Sequence, residues 1–216
     1  MSLKEAYDNN CKGCKLSQGK WPKPNKDPKP DELTKPPVGG MIIELKDKNQ
    51  AEGDWILNHY GGREGFLGWL ALQPKKHKME LCDLEEKELK ALGLNIKKID
   101  RFLRAYWKEY FPADPIKRVY VVYFFEGVFD SKPTDYHLHI HLIPRTKAMD
   151  ILLREELEGE KITTIIAWKI YRLTTDKRKE IDSLGYSKEN EKAAKSLMEF
   201  IKKNWKEMEI NNELRD

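Results

Sequence analysis

The stretch His137-Leu138-His139-Ile140-His141-Leu142-Ile143 decides how the rest of the chain is read. Imidazoles alternate with aliphatic side chains, and a period of two is the signature of a β-strand. In a strand over Tyr136–Ile143, ended by Pro144-Arg145, the three histidines line one face at about 6.6 Å per step. Leu138, Ile140 and Leu142 line the other face and point to a core. The whole chain holds only 5 histidines, so this strip carries most of its imidazole chemistry.

Working outward, Arg118–Glu126 is rich in Val, Tyr and Phe and reads as a buried strand. The loop Gly127–Asp135 joins it to the histidine strand. Upstream, Asp83 can cap a helix with Glu86 completing a capping box. Leu89, Leu92, Ile96, Ile99 and Leu103 then recur at helical spacing up to about Tyr110, before Pro112. Earlier still, Met41–Leu45, Trp55–Asn58 and Phe66–Leu72 read as strands, with the Gly-rich turn Tyr60–Gly65 before the third and Pro74 after it. One antiparallel sheet with one long helix packed on it is the predicted core, an α+β arrangement.

The flanks differ. Residues 1–38 read as an arm that holds Cys11-Lys12-Gly13-Cys14 and a Pro/Lys-rich run from Trp21, which suits neither helix nor central strand. Residues 146–216 read as a helical extension, with Ala148–Leu157 and Thr164–Leu173 as helices. The last helix, capped by Ser187, sets Ala194, Leu197, Ile201, Trp205 and Met208 on one face. It could cover the sheet or a partner. The three segments 1–38, 39–145 and 146–216 are therefore the expected divisions of the chain.

With 40 basic against 36 acidic residues in 216, the net charge is only +4. No basic tract marks a nucleic-acid arm, although a mildly positive molecule attracts polyphosphates. No segment is apolar enough to span a membrane, and the start lacks a signal-peptide core, so the expected compartment is the cytoplasm. Three cysteines without a secretion signal argue against a disulfide framework.

Chemically, the strip admits several readings. Strand imidazoles are familiar zinc ligands, and two at i and i+2 can share an ion, but the outer pair of three lies too far apart on one straight strand. At least one histidine then has another task. A neutral imidazole attacks phosphorus near neutral pH, and a neighbouring imidazole can donate to phosphate oxygens.

The strip, with its trailing Pro144-Arg145, resembles the signature of the histidine-triad (HIT) superfamily. A second block, Gly68-Trp-Leu-Ala-Leu-Gln-Pro-Lys-Lys-His77 followed by Leu81-Cys-Asp-Leu-Glu-Glu, is similar to that family's strand, Pro-Lys-x-His turn and helix. The resemblance covers roughly residues 11–145. It implies a HIT-like sheet and a nucleotidyl-enzyme intermediate on His139. His141 would hydrogen-bond the phosphate or departing group, and His137 would orient the site or bind zinc. A homodimer is also implied.

The same resemblance, through relatives of galactose-phosphate uridylyltransferase, implies that the Cys-x-x-Cys pair joins two histidines in a Cys11, Cys14, His77, His137 zinc site. His59 competes with His77 for that role. Cys82 reads as a core residue. Asn58 is the implied ribose contact, with His59 a base contact or a surface residue. Trp55 and Trp69 read as core, and many family members carry a His at the position of Trp69, which the chemistry does not require. The loop Ser131-Lys-Pro-Thr-Asp135 departs from the family's Gly-Gln-Ser/Thr. Thr134 stands where the Ser/Thr would contact phosphate, but Pro133 cannot donate. Lys132 or Arg145 could supply the missing positive contact.

The expected function is a nucleotide hydrolase or nucleotidyltransferase acting at the α-phosphate. The alternatives are a nucleotide-binding module without catalysis and a metal-dependent hydrolase that uses the histidine cluster.

Overall fold

A computed structural model describes residues 11–17, 42–45, 55–60, 67–123, 137–147, 150 and 188–211. Its elements, in chain order, are α1 (Lys12–Ser17), β1 (Ile42–Leu45), β2 (Trp55–His59), β3 (Leu70–Pro74), a 3-10 turn (Leu81–Asp83), α2 (Glu86–Tyr110), β4 (Arg118–Tyr123), β5 (Ile140–Arg145) and α3 (Lys188–Asn211). The strands form one antiparallel sheet in the order β1-β2-β3-β5-β4. The α+β expectation holds. The Ser131–Asp135 loop and its Thr134, together with both helices expected over 148–173 apart from Asp150, and the Ser187 cap, lie outside the described residues.

One face of the sheet carries the core. Ile43, Leu45, Trp55, Leu57, Leu70, Leu72 and Leu142 point into a cluster with Ile99, Phe102, Leu103, Tyr106 and Trp107 of α2. Leu197, Met198, Ile201 and Trp205 of α3 complete it. The last helix thus covers α2 and the β1–β2 edge of the sheet rather than presenting its apolar face outward. Burying four such side chains contributes roughly 1.5–3 kcal/mol each before entropy is counted.

Several boundaries moved, each for a local reason. The expected strand Phe66–Leu72 is Leu70–Pro74, because Leu67-Gly68 forms a turn in which Gly68 adopts φ +82°. A Cβ there would stand 2.7 Å from Trp107 and 2.9 Å from Pro144. The histidine strand begins at Ile140 and runs through Pro144-Arg145 instead of ending before them. β3 pairs only with Ile140–Leu142, so Pro144 lies where that side of β5 has no β3 partner and its missing N–H costs little. β4 is not buried as expected: it is the sheet's edge, and Val121 is 48% exposed.

Around α2 the capping moved by two residues. Glu85 is the N-cap, in a reciprocal box with Glu88, while Asp83 closes the preceding 3-10 turn by accepting from the N–H groups of Met79 and Glu80. The buried stripe is Asn95, Ile99, Phe102, Leu103, Tyr106 and Trp107, which leaves Leu89 exposed. Cys82, expected in the core, is exposed in the 3-10 turn beside Glu80.

Candidate functional site

Register fixes which residues share a face. Asn58 pairs with Ala71, and Ala71 with His141, so these three form one row across β2, β3 and β5. That row faces away from α2 and α3. His59 pairs with Leu70, which pairs with Leu142, so His59 belongs to the opposite, core-side face.

At the N-terminal end of the histidine stretch, four side chains converge. The donor atoms of Cys11, Cys14, His77 and His137 all lie within 4.8 Å of one another. His137 Nδ1 lies 3.4 Å from Cys11 Sγ and 3.5 Å from Cys14 Sγ, and His77 Nδ1 lies 3.4 Å from Cys14 Sγ. Tetrahedral zinc with bonds of about 2.3 Å to sulfur and 2.0–2.1 Å to nitrogen requires S···N separations of about 3.6 Å. The set is therefore compatible with zinc in donor type, number and spacing. His137 Nε2 donates to the Pro74 carbonyl at 2.8 Å, which leaves Nδ1 bare toward the sulfurs, the arrangement a ligand needs. The Cys11 thiol is pushed down to about 3, first by its hydrogen bond with Cys14, against the opposing effect of burial. A thiolate is the ligating form.

Local sequence explains the knuckle. Gly13 sits directly against His137, where a Cβ would overlap that residue's Cβ and Cγ and stand 2.8 Å from Nδ1. Gln73, at the end of β3, donates to the Gly13 carbonyl at 2.9 Å and ties the knuckle to the sheet. Sequence reading took the cysteines and passed over the glycine between them.

His59 is not part of this cluster. Its Nε2 accepts from the Gly68 N–H at 3.0 Å, and its Nδ1 donates to the Tyr60 carbonyl at 3.2 Å. Burial lowers its pKa to about 4, with the Tyr60 carbonyl opposing. It is a buried histidine that pins the turn before β3, neither a surface residue nor a rival ligand to His77.

The next two histidines are treated differently. His139 Nδ1 is 2.8 Å from the His137 carbonyl, which can only accept, so the proton sits on Nδ1 and Nε2 carries the lone pair. His141 Nδ1 accepts from the Trp69 indole N–H at 2.9 Å. Burial is the main cause that lowers the pKa of both rings; at His139 the hydrogen bond to the His137 carbonyl opposes it, and at His141 the neighbouring His139 adds to it. Burial thus favours the neutral form of both rings, whose centroids are 4.7 Å apart.

Of the remaining candidates, Asn58 is 4% exposed, and its Nδ2 has no hydrogen-bond partner among the described residues. Arg145 is engaged with Asp150 at 2.6 Å and with the Tyr120 hydroxyl at 2.6 Å, so it braces β5 against its neighbours. Trp55 is core, as expected, with its indole donating to the Glu88 carbonyl. Trp69 is fully buried too, but its bond to His141 places it at the site, a link no spacing in the sequence signals. No described helix is long and apolar enough to cross a membrane. Compared with family models, curated proteins and solved structures, the chain matches none.

Proposed function

We propose that this protein is a nucleotide hydrolase or nucleotidyltransferase of the histidine-triad kind, acting at an α-phosphate through a nucleotidyl-His139 intermediate. The observation that carries the reading is the hydrogen-bond partner at the Nδ1 of each of two adjacent imidazoles. The proton of His139 on Nδ1 puts the lone pair on Nε2, while the Nδ1 of His141 accepts from Trp69, which puts the proton of the neutral ring on Nε2. A nucleophile beside a hydrogen-bond donor is what phosphoryl-centre chemistry requires.

In the first step the Nε2 lone pair forms a bond to phosphorus. The bond from phosphorus to the leaving group breaks, and that group departs with the electron pair. The Nε2–H of His141 holds a phosphate oxygen as its charge shifts. Water or a second phosphate then displaces Nε2, which regains its lone pair. The amide of Asn58, in the same row as His141 with only Ala71 between, is suited to a ribose hydroxyl about 10 Å away across two strand spacings. Cys11, Cys14, His77 and His137 hold a structural zinc ion, which ties the knuckle to the histidine stretch.

A catalytic metal on the triad is disfavoured by the same geometry. His137 Nδ1 faces the two sulfurs, while the Nδ1 of His139 is engaged by the His137 carbonyl and that of His141 by Trp69, whereas catalytic zinc sites use three protein ligands.

The test is a screen of dinucleoside polyphosphates, nucleoside phosphoramidates and nucleotide sugars against wild type and His139→Ala. The variant is expected to lose at least about a thousandfold in turnover. Wild type is expected to show a nucleotidyl mass shift on the peptide containing His139. Turnover that survives His139→Ala, in protein shown to be folded by circular dichroism, would discard the reading.

A further inference from the structure

We infer that Trp69 is the positioning residue for His141, fixing it as a neutral Nε2–H donor that holds phosphate oxygens without acting as a base. An indole N–H can only donate, so the imidazole nitrogen 2.9 Å from it must be bare. The proton of neutral His141 is then confined to Nε2, on the far side of the ring. Another imidazole in place of Trp69 could donate or accept and would leave the tautomer open.

The clamp has three rings. Tyr60 stacks on Trp69 with centroids 4.8 Å apart and planes at 19°. It also meets His141 edge-on at 5.0 Å. Trp69 itself stands edge-on to His141 at 5.5 Å. Trp69 is 0% and His141 1% exposed, so water does not compete for the bond. A second proton on His141 would set N–H against N–H at Nδ1 and break that bond. Burial and the neighbouring His139 oppose the same proton.

The role rests on the proposed reaction, but its test stands apart from it. Nitrogen NMR of the His141 ring in wild-type protein is expected to show the Nε2–H tautomer at neutral pH. In Trp69→Phe, which keeps an aromatic ring and loses the donor, both tautomers are expected. On whichever substrate the wild type turns over, kcat is expected to fall about tenfold in Trp69→Phe with KM little changed. Trp69→His, which restores a nitrogen donor, is expected to recover part of the loss. An Nδ1–H tautomer in wild type, or an Nε2–H tautomer that persists unmixed in Trp69→Phe, would overturn the inference. Absence of turnover in the wild type would refute the proposed reaction, while the tautomer result would still judge the clamp.

Discussion

The two ends of one histidine stretch are built from opposite materials. At His137, polar and soft groups gather: two cysteines, a second imidazole and a backbone carbonyl. Four residues on, at His141, the neighbours are aromatic: Trp69 hydrogen-bonded at Nδ1 and Tyr60 edge-on. The residue type is the same, and what meets each Nδ1 sets its task. At His137 it faces two sulfurs suited to a shared metal, at His139 a carbonyl holds a proton on it, and at His141 an indole N–H leaves it without one. An imidazole's role is thus a property of the second atom it touches.

The comparison can be broken most strongly at its metal end. With free zinc a thousandfold above its Kd, binding should stabilise the fold by about 4 kcal/mol. Urea melts with zinc and with a chelator are expected to differ by that amount in wild type and to coincide in Cys14→Ser. A wild-type curve indifferent to zinc would remove the metal from the account.

His59 sharpens the contrast, because it is a buried histidine with neither task. Its folded pKa of about 4 lies below the ordinary 6.5, so between these values the unfolded chain binds more protons. Stability is then full above pH 6.5 and falls as pH drops toward 4, by at most about 3 kcal/mol. Urea midpoints between pH 7 and pH 4.5 should fall more steeply in wild type than in His59→Gln. Equal slopes would mean that His59 titrates normally.

Gly13→Ala is the gentlest intervention. The new methyl presses on the His137 ring without removing any ligand, so zinc affinity is expected to drop about 10- to 100-fold while the helices persist by circular dichroism. An unchanged affinity in a competitive zinc titration would show that the knuckle can shift aside.

What the sequence disclosed follows from what periodicity encodes. Alternation over 137–143 told which face the histidines share, and Cys-x-x-Cys with His77 and His137 supplied a ligand set that the fold assembles. Periodicity carries no information on what crosses between strands. Trp69 lies 72 positions from His141, and only the β3–β5 register brings them together. Hydrophobic spacing puts Leu89 on the stripe of α2, whereas in the first turn it is Glu88, closing the box with Glu85, that is buried. Here Lys78 meets the Glu88 carboxylate at 3.2 Å, a charge pair that hydrophobic spacing does not reveal. The edge position of β4 was equally hidden, since its Val/Tyr composition suits a central strand and only the strand order exposes it.

The place of α3 bears on how the chain comes to fold. Every strand of the described sheet precedes residue 146, yet Leu197, Met198, Ile201 and Trp205 fill the same core. During synthesis the sheet and α2 emerge first, with that apolar surface bare until some 50 further residues have left the ribosome, a span of a few seconds at 5–20 residues per second. The interval is one in which a chaperone or a premature neighbour can compete for the face. Final closure is then a late, long-range docking event, which slows folding as non-local contacts do.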